Sequence, residues 1–173
     1  MHAWKKLICR GNRSFERGRL DDAADQYVAA LCEADHCIGC LAKECVEAER
    51  CARQNRRTGR DGGAEAAGDG RYLDAVAAIA AYVVTRLNLA DLCLRLDRSD
   101  EAAVHLQEMQ ARLEAIIDDA GQPWTLRAAA LRNSRRAQDA VLSFVTEHGV
   151  SVAGPSCAFE RPINHLPPIP VLH

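Results

Sequence analysis

Aromatic residues are scarce in this chain: two Trp, three Tyr and three Phe among 173 residues, or 5%. That is too few for a platform on which nucleic-acid bases stack. An excess of positive charge is missing too. Lys plus Arg number 22 against 24 Asp plus Glu, a formal net charge of −2. Nonspecific nucleic-acid binding relies on neutralising phosphates, so the expectation is no nucleic-acid partner. No uninterrupted apolar run reaches the roughly 18 residues of a membrane helix, and the opening Met-His-Ala-Trp-Lys-Lys lacks a signal-type apolar stretch. The expected setting is the cytoplasm, without a membrane. There is no Gly-rich phosphate loop, no GxSxG and no HExxH, so the chain is read as a non-enzyme. His105 with Glu101 and Glu108 reads as an ordinary helix-surface group rather than acid–base machinery. Proline is nearly confined to one end, with five of six in residues 150–173.

What is present is a globular composition, 48% apolar and 27% charged, in one domain with a tail. Trp4, Leu7, Ile8, Gly11 and Phe15 recur at steps of three and four and predict a helix over 3–17. Gly18 stops it, and Asp21 or Asp22 opens a second helix whose inner stripe is Ala23, Tyr27, Ala30 and Leu31. The rhythm continues through Ala34, Ile38, Leu41, Cys45, Ala48 and Ala52, either as one long helix or with a break near 36–39. A glycine-rich stretch at about 57–70 predicts a flexible loop. Residues 72–96 predict a third helix. A fourth, capped by Ser99 or Asp100, runs to about 119, where Gly121 ends it. Residues 124–148 form a last helix, with Leu126, Ala130, Leu131, Ala137, Val141, Leu142 and Val145 expected to face inward. The expectation is thus an all-α domain over 1–148 and a disordered or loosely docked Pro-rich tail over 149–173.

Gly11, Gly18, Ala23, Tyr27 and Ala30 form a pattern that closely resembles a tetratricopeptide repeat. That pattern sets small residues where two helices cross, a glycine at the turn and an aromatic in the wedge between them. A looser second copy runs through Leu89, Ala90, Cys93, Asp97-Arg98-Ser99, Ala102, Leu106 and Met109, with Asp97 in place of the turn glycine and Leu106 in place of the aromatic. The resemblance implies antiparallel helical hairpins, about two repeats, with residues 124–148 as a capping helix; it extends to small bacterial tetratricopeptide proteins. It also implies a protein or peptide partner held in a groove lined by the first helix of each pair. Mapped onto this chain, the groove residues are Lys5, Ile8, Asn12, Phe15, Asn88, Asp91 and Arg95. Asn12 and Asn88 match asparagines that bond a bound peptide's backbone. Ile8 takes a place that carboxylate-clamping versions give to a cation, which speaks against such a clamp. The bland alternative is that these are solvated polar residues. The partner stays unidentified, and a homo-oligomer is compatible with this reading.

Eight cysteines are present, five of them between 32 and 51. A cytoplasmic chain keeps them reduced, so the cluster reads as small buried residues, a metal site or responsive thiols. Cys37-Ile38-Gly39-Cys40 is a single CxxC, with His36 beside it. His36, Cys37 and Cys40 are therefore the candidate ligands of an alternative reading, zinc or another thiophilic metal, against the main expectation of no cofactor. Arg132, Arg135 and Arg136, and separately Arg53, Arg56, Arg57 and Arg60, form basic patches that are either solvated faces or surfaces for an acidic partner.

Overall fold

The computed structural model describes residues 3–58 and 65–149. Every regular element among them is an α-helix: α1 Ala3–Glu16, α2 Leu20–Thr58, α3 Glu65–Arg95, α4 Ser99–Asp118 and α5 Trp124–His148. The Pro-rich segment after residue 149 and residues 59–64 lie outside the described residues. The central element is α3, which touches each of the other four helices. Its sequence explains this position. Ala75, Ala78, Ile79, Val83, Leu89, Ala90, Leu92 and Cys93 are all buried, and at 3.6 residues per turn they occupy about half of the circumference, while Leu73, Asp91 and Arg95 on the other side are exposed. So broad an apolar face needs several neighbours to cover it, and its many alanines let their backbones approach closely. The fully buried Thr85 hydroxyl donates to Ala81 O at 2.7 Å, so it enters the core satisfied. By length and composition Gly70–Arg95 also resembles a membrane span, but more than half of that window is buried inside the bundle.

The two hairpin turns are equivalent at an offset of 79 positions. At the first, Gly18 adopts φ +70°, Arg19 N donates to Ser14 O, and Ala23 N donates to Arg19 O. At the second, Asp97 adopts φ +58°, Arg98 N donates to Cys93 O, and Ala102 N donates to Arg98 O. Aspartate is among the few side chains that tolerate the left-handed region, which is why it can replace glycine here. Arg98, not Ser99 or Asp100, is the N-cap of α4, and no side chain caps that end. The turn leaves no spare residue: Arg98 closes α3 with its N–H and opens α4 with its carbonyl.

The same offset relates the helix crossings. A Cβ on Gly11 would lie 2.5 Å from Tyr27 Cε1 and 2.7 Å from Cδ1, so the ring rests directly on the α1 backbone. The equivalent positions are Ala90 and Leu106, both buried. One methyl gained on one helix is offset by the smaller side chain on the other. Ala23 and Ala102, also equivalent, are completely buried.

Elsewhere the sequence reading needs adjustment. There is no break near 36–39: α2 is one helix of 39 residues. Gly39 sits inside it with nothing near its missing side chain, at a helix-propensity cost of about 1 kcal/mol that packing of Ile38 and Leu41 on the core offsets. The expected loop at about 57–70 is shorter at both ends, because α2 extends to Thr58 and α3 begins at Glu65. In α5, Leu126, Ala130, Ala137 and Val141 are buried as expected, but Leu131, Leu142 and Val145 are 62%, 65% and 37% exposed. Apolar periodicity had merged two stripes on opposite sides of that helix into one.

The crossing of α1 and α2 gives a test by exchange. Gly11→Ala should destabilise by about 1–3 kcal/mol through overpacking. Adding Tyr27→Leu, which reproduces the Ala90–Leu106 pair, should recover part of that loss although Tyr27→Leu alone destabilises. Chemical denaturation of all three variants measures the coupling; strictly additive losses would show that the ring does not set the crossing distance.

Candidate functional site

The face between α1 and α3 gathers most of the expected groove residues. Asn12 lies on α1 and Asn88 on α3, 76 positions later, and Asn88 Nδ2 donates to Asn12 Oδ1 at 3.2 Å. The same oxygen accepts the Tyr27 hydroxyl at 2.8 Å. Asn12 thus joins three helices. Its carbonyl is used twice, while its own amide hydrogens and the Asn88 oxygen take no part in these bonds. At the offset of the two turns the counterpart of Asn12 is Asp91, and Asn88 lies one turn earlier on α3. Tyr27 is buried, and its hydroxyl is pushed up by that burial and further by the charges of Asp91 and Glu16. Burial also raises the Asp91 carboxyl: although its outer atoms reach solvent, the packed neighbours desolvate the charge. Arg95, one turn on, places its guanidinium 5.1 Å from the Phe15 ring centre, a cation–π arrangement. The two remaining groove candidates stand apart. Ile8 is half-buried against the main core, and Lys5 lies over the ring of its neighbour Trp4 at 5.2 Å.

The cysteine segment forms a different surface. His36, Cys37 and Cys40 lie on continuous α2, and Cys40 Sγ is 3.5 Å from His36 Nε2. Cys37 and Cys40 line a small cleft of about 150 Å³ with Trp4, Leu41, Glu44, Asp74 and Ala78. Burial, then Glu33 and Cys40, push the Cys37 thiol up, away from the thiolate that metals and oxidants prefer. On one helix Cys37 and Cys51 are separated by about 21 Å. Among the described residues no three His, Cys, Asp or Glu side chains are arranged to hold an ion. Cys93 is buried in the core, and burial raises its thiol as well.

In a polar cluster between α3 and α4 the sequence groups His105 with Glu108 but gives no sign of Arg86, which lies 19 and 22 positions earlier. Arg86 Nη1 bonds Glu108 Oε2 and lies 3.1 Å from His105 Nδ1. Its guanidinium also lies 5.5 Å from the Tyr82 ring centre, and its Nε is buried without a partner. Arg112 to Asp35 at 2.9 Å links α4 to α2. His105 is therefore half-buried rather than an exposed surface group. Of the arginine patches, Arg132, Arg135 and Arg136 are exposed on α5. The side chains of Arg53, Arg56 and Arg57, and all of Arg60, lie outside the described residues.

Burial, then the Arg86 charge, hold the His105 imidazole below its ordinary 6.5, with Glu108 and Glu101 pulling upward. A folded-state value below the unfolded one gives stability that is complete above 6.5 and is lost as pH falls below it. Urea midpoints at about pH 7.5 and about pH 5.5 should therefore differ, the acidic one being lower. His105→Gln, which keeps an acceptor for Arg86 but cannot titrate, should flatten the difference; an equal drop in both proteins would assign the pH dependence to other groups.

A family model described as "Protein of unknown function (DUF2753)" matches residues 64–159, more than half of the chain. No curated protein and no solved structure matches.

Proposed function

The chain belongs to DUF2753, a family whose function is unassigned, and we propose that it is a non-enzymatic, cytoplasmic adaptor of tetratricopeptide type that binds a protein or peptide across the α1–α3 face. The repeat reading is supported by the two turns of equal geometry 79 positions apart and by the complementary pairs Gly11–Tyr27 and Ala90–Leu106. The observation that carries the binding reading is the bond from Asn88 to Asn12, which sets two asparagines side by side across α1 and α3, with amide groups not used in the bonds that fix them and the exposed Asp91 carboxyl one turn away. An extended backbone offers donors and acceptors to those amides, and a Lys or Arg of the partner would satisfy Asp91. On this reading the partner is a basic or amphipathic peptide segment, not nucleic acid or membrane, and no cofactor is needed.

The second reading, a thiophilic-metal or thiol-responsive protein, rests on the contact between Cys40 and His36. Metal analysis of untagged protein purified without chelator separates the two. A stoichiometric metal that disappears in Cys37→Ser/Cys40→Ser would favour the second.

For the first, affinity capture with mass spectrometry supplies a partner whose titration is the test. Asn88→Ala/Asp91→Asn should weaken it by about 1–3 kcal/mol. Asn12 is left intact because Tyr27 depends on it. A carboxyl raised by burial costs stability when ionised at neutral pH, being favoured folded only when protonated. Asp91→Asn alone should therefore hold or raise the melting temperature while weakening the partner. Unchanged affinity, or a fall in melting temperature, would remove the groove reading.

A further inference from the structure

The terminal helix α5 carries a second apolar stripe that the described bundle leaves largely uncovered, although Trp124 meets the Tyr72 ring edge-on at 6.1 Å between centres. Trp124, Leu131, Leu142 and Val145 are 70%, 62%, 65% and 37% exposed. At 3.6 residues per turn they fall within about 60° of one another, on the side away from buried Leu126 and Phe144. Their spacing is that of a coiled-coil seam: 124, 131, 138 and 145 form one heptad row and 128, 135 and 142 the other.

The charge pattern along the helix identifies the occupant. The half over 124–136 carries Arg127, Arg132, Arg135 and Arg136 and no acid, whereas the half over 137–148 carries Asp139 and Glu147 and no Lys or Arg. A parallel copy would set arginine against arginine. An antiparallel copy, related by a two-fold axis near residues 136 and 137, sets basic half against acidic half. The seam then matches itself: Leu131 faces Leu142 of the partner copy, Ala128 faces Val145, and Trp124 reaches the partner's Gly149, where there is no side chain to meet it. Arg135 faces Gln138 at the centre, a polar layer of the kind that fixes register. On the flank, Arg132 meets Asp139 of the partner copy, and the symmetry repeats the pair.

We propose that α5 is a self-association surface through which two copies of this chain pair antiparallel. This surface is independent of the α1–α3 face and does not rest on its reading.

Sedimentation velocity of the full chain at tens of micromolar, in reducing buffer so that no disulfide contributes, tests it. The wild type should sediment as a dimer. Leu131→Glu/Leu142→Glu should sediment as a monomer with unchanged helicity, since both side chains face solvent within the subunit. Arg132→Glu should weaken the dimer by roughly fivefold to tenfold, because two flank pairs turn repulsive, and adding Asp139→Arg should restore it. That rescue requires the antiparallel register. A monomeric wild type, a dimer indifferent to the leucine substitutions, or a charge reversal that fails to rescue would each overturn the proposal.

Discussion

The constraint on which this fold depends is the broad apolar face of α3, about half of its circumference, which must be kept from water. Its buried alanines, valines and leucines are too widely spread for one neighbour to cover, and all four other helices pack against it. The remaining architecture follows. The chain enters and leaves α3 through hairpin partners, and α5 closes the side that α4 leaves open. Three polar groups on α3 are tied to particular partners. Thr85 is satisfied by its own helix, Arg86 by α4, and Asn88 by α1. The polar residues of α3 are therefore seams between helices, and the α1–α3 seam is the one that reaches the surface with amide and carboxyl groups to offer.

How much of this could be read from the sequence depended on distance along the chain. The first hairpin was legible because Gly11, Gly18, Ala23 and Tyr27 lie within one short stretch, and each residue type answers a local need: close approach, positive φ, close approach again, and a filled wedge. The all-helical class was legible for the same reason. The continuity of α2 was not, because Gly39 weakens a helix locally and only tertiary packing decides whether it continues. Two stripes on α5 were read as one because apolar periodicity records spacing, and spacing does not say which side finds a neighbour. The part of Arg86 in the His105–Glu108 cluster was invisible because nothing in α3 alone marks it as a partner of α4. The groove residues fall between these cases: a family pattern pointed to them, but the bond from Asn88 to Asn12 and the desolvation of Asp91 emerge only when α1 and α3 are set side by side.

Stability and recognition pull against each other at that face. Asn12 secures the Tyr27 hydroxyl, so it belongs to the fold as much as to any binding event. Asp91 carries a charge in a place that disfavours it, while Arg95 is occupied with Phe15 rather than with that carboxylate. A carboxyl that its neighbours partly desolvate is costlier to ionise, and groups shifted in this way are frequent at sites that meet ligands.

Arg19 and Arg98 each end one helix and begin the next, and both do so at a turn with no residue to spare. A hinge needs a position that can absorb a large change in φ and ψ without losing hydrogen bonds, and neither turn contains one. Opening either hairpin would break the last bond of one helix and the first of the other together. Each hairpin is thereby held as a unit, and the bond from Asn88 to Asn12 ties the first helix of one to the first helix of the other. A segment held at that face, as proposed above, would meet hairpins already in place and would lose little entropy in ordering them.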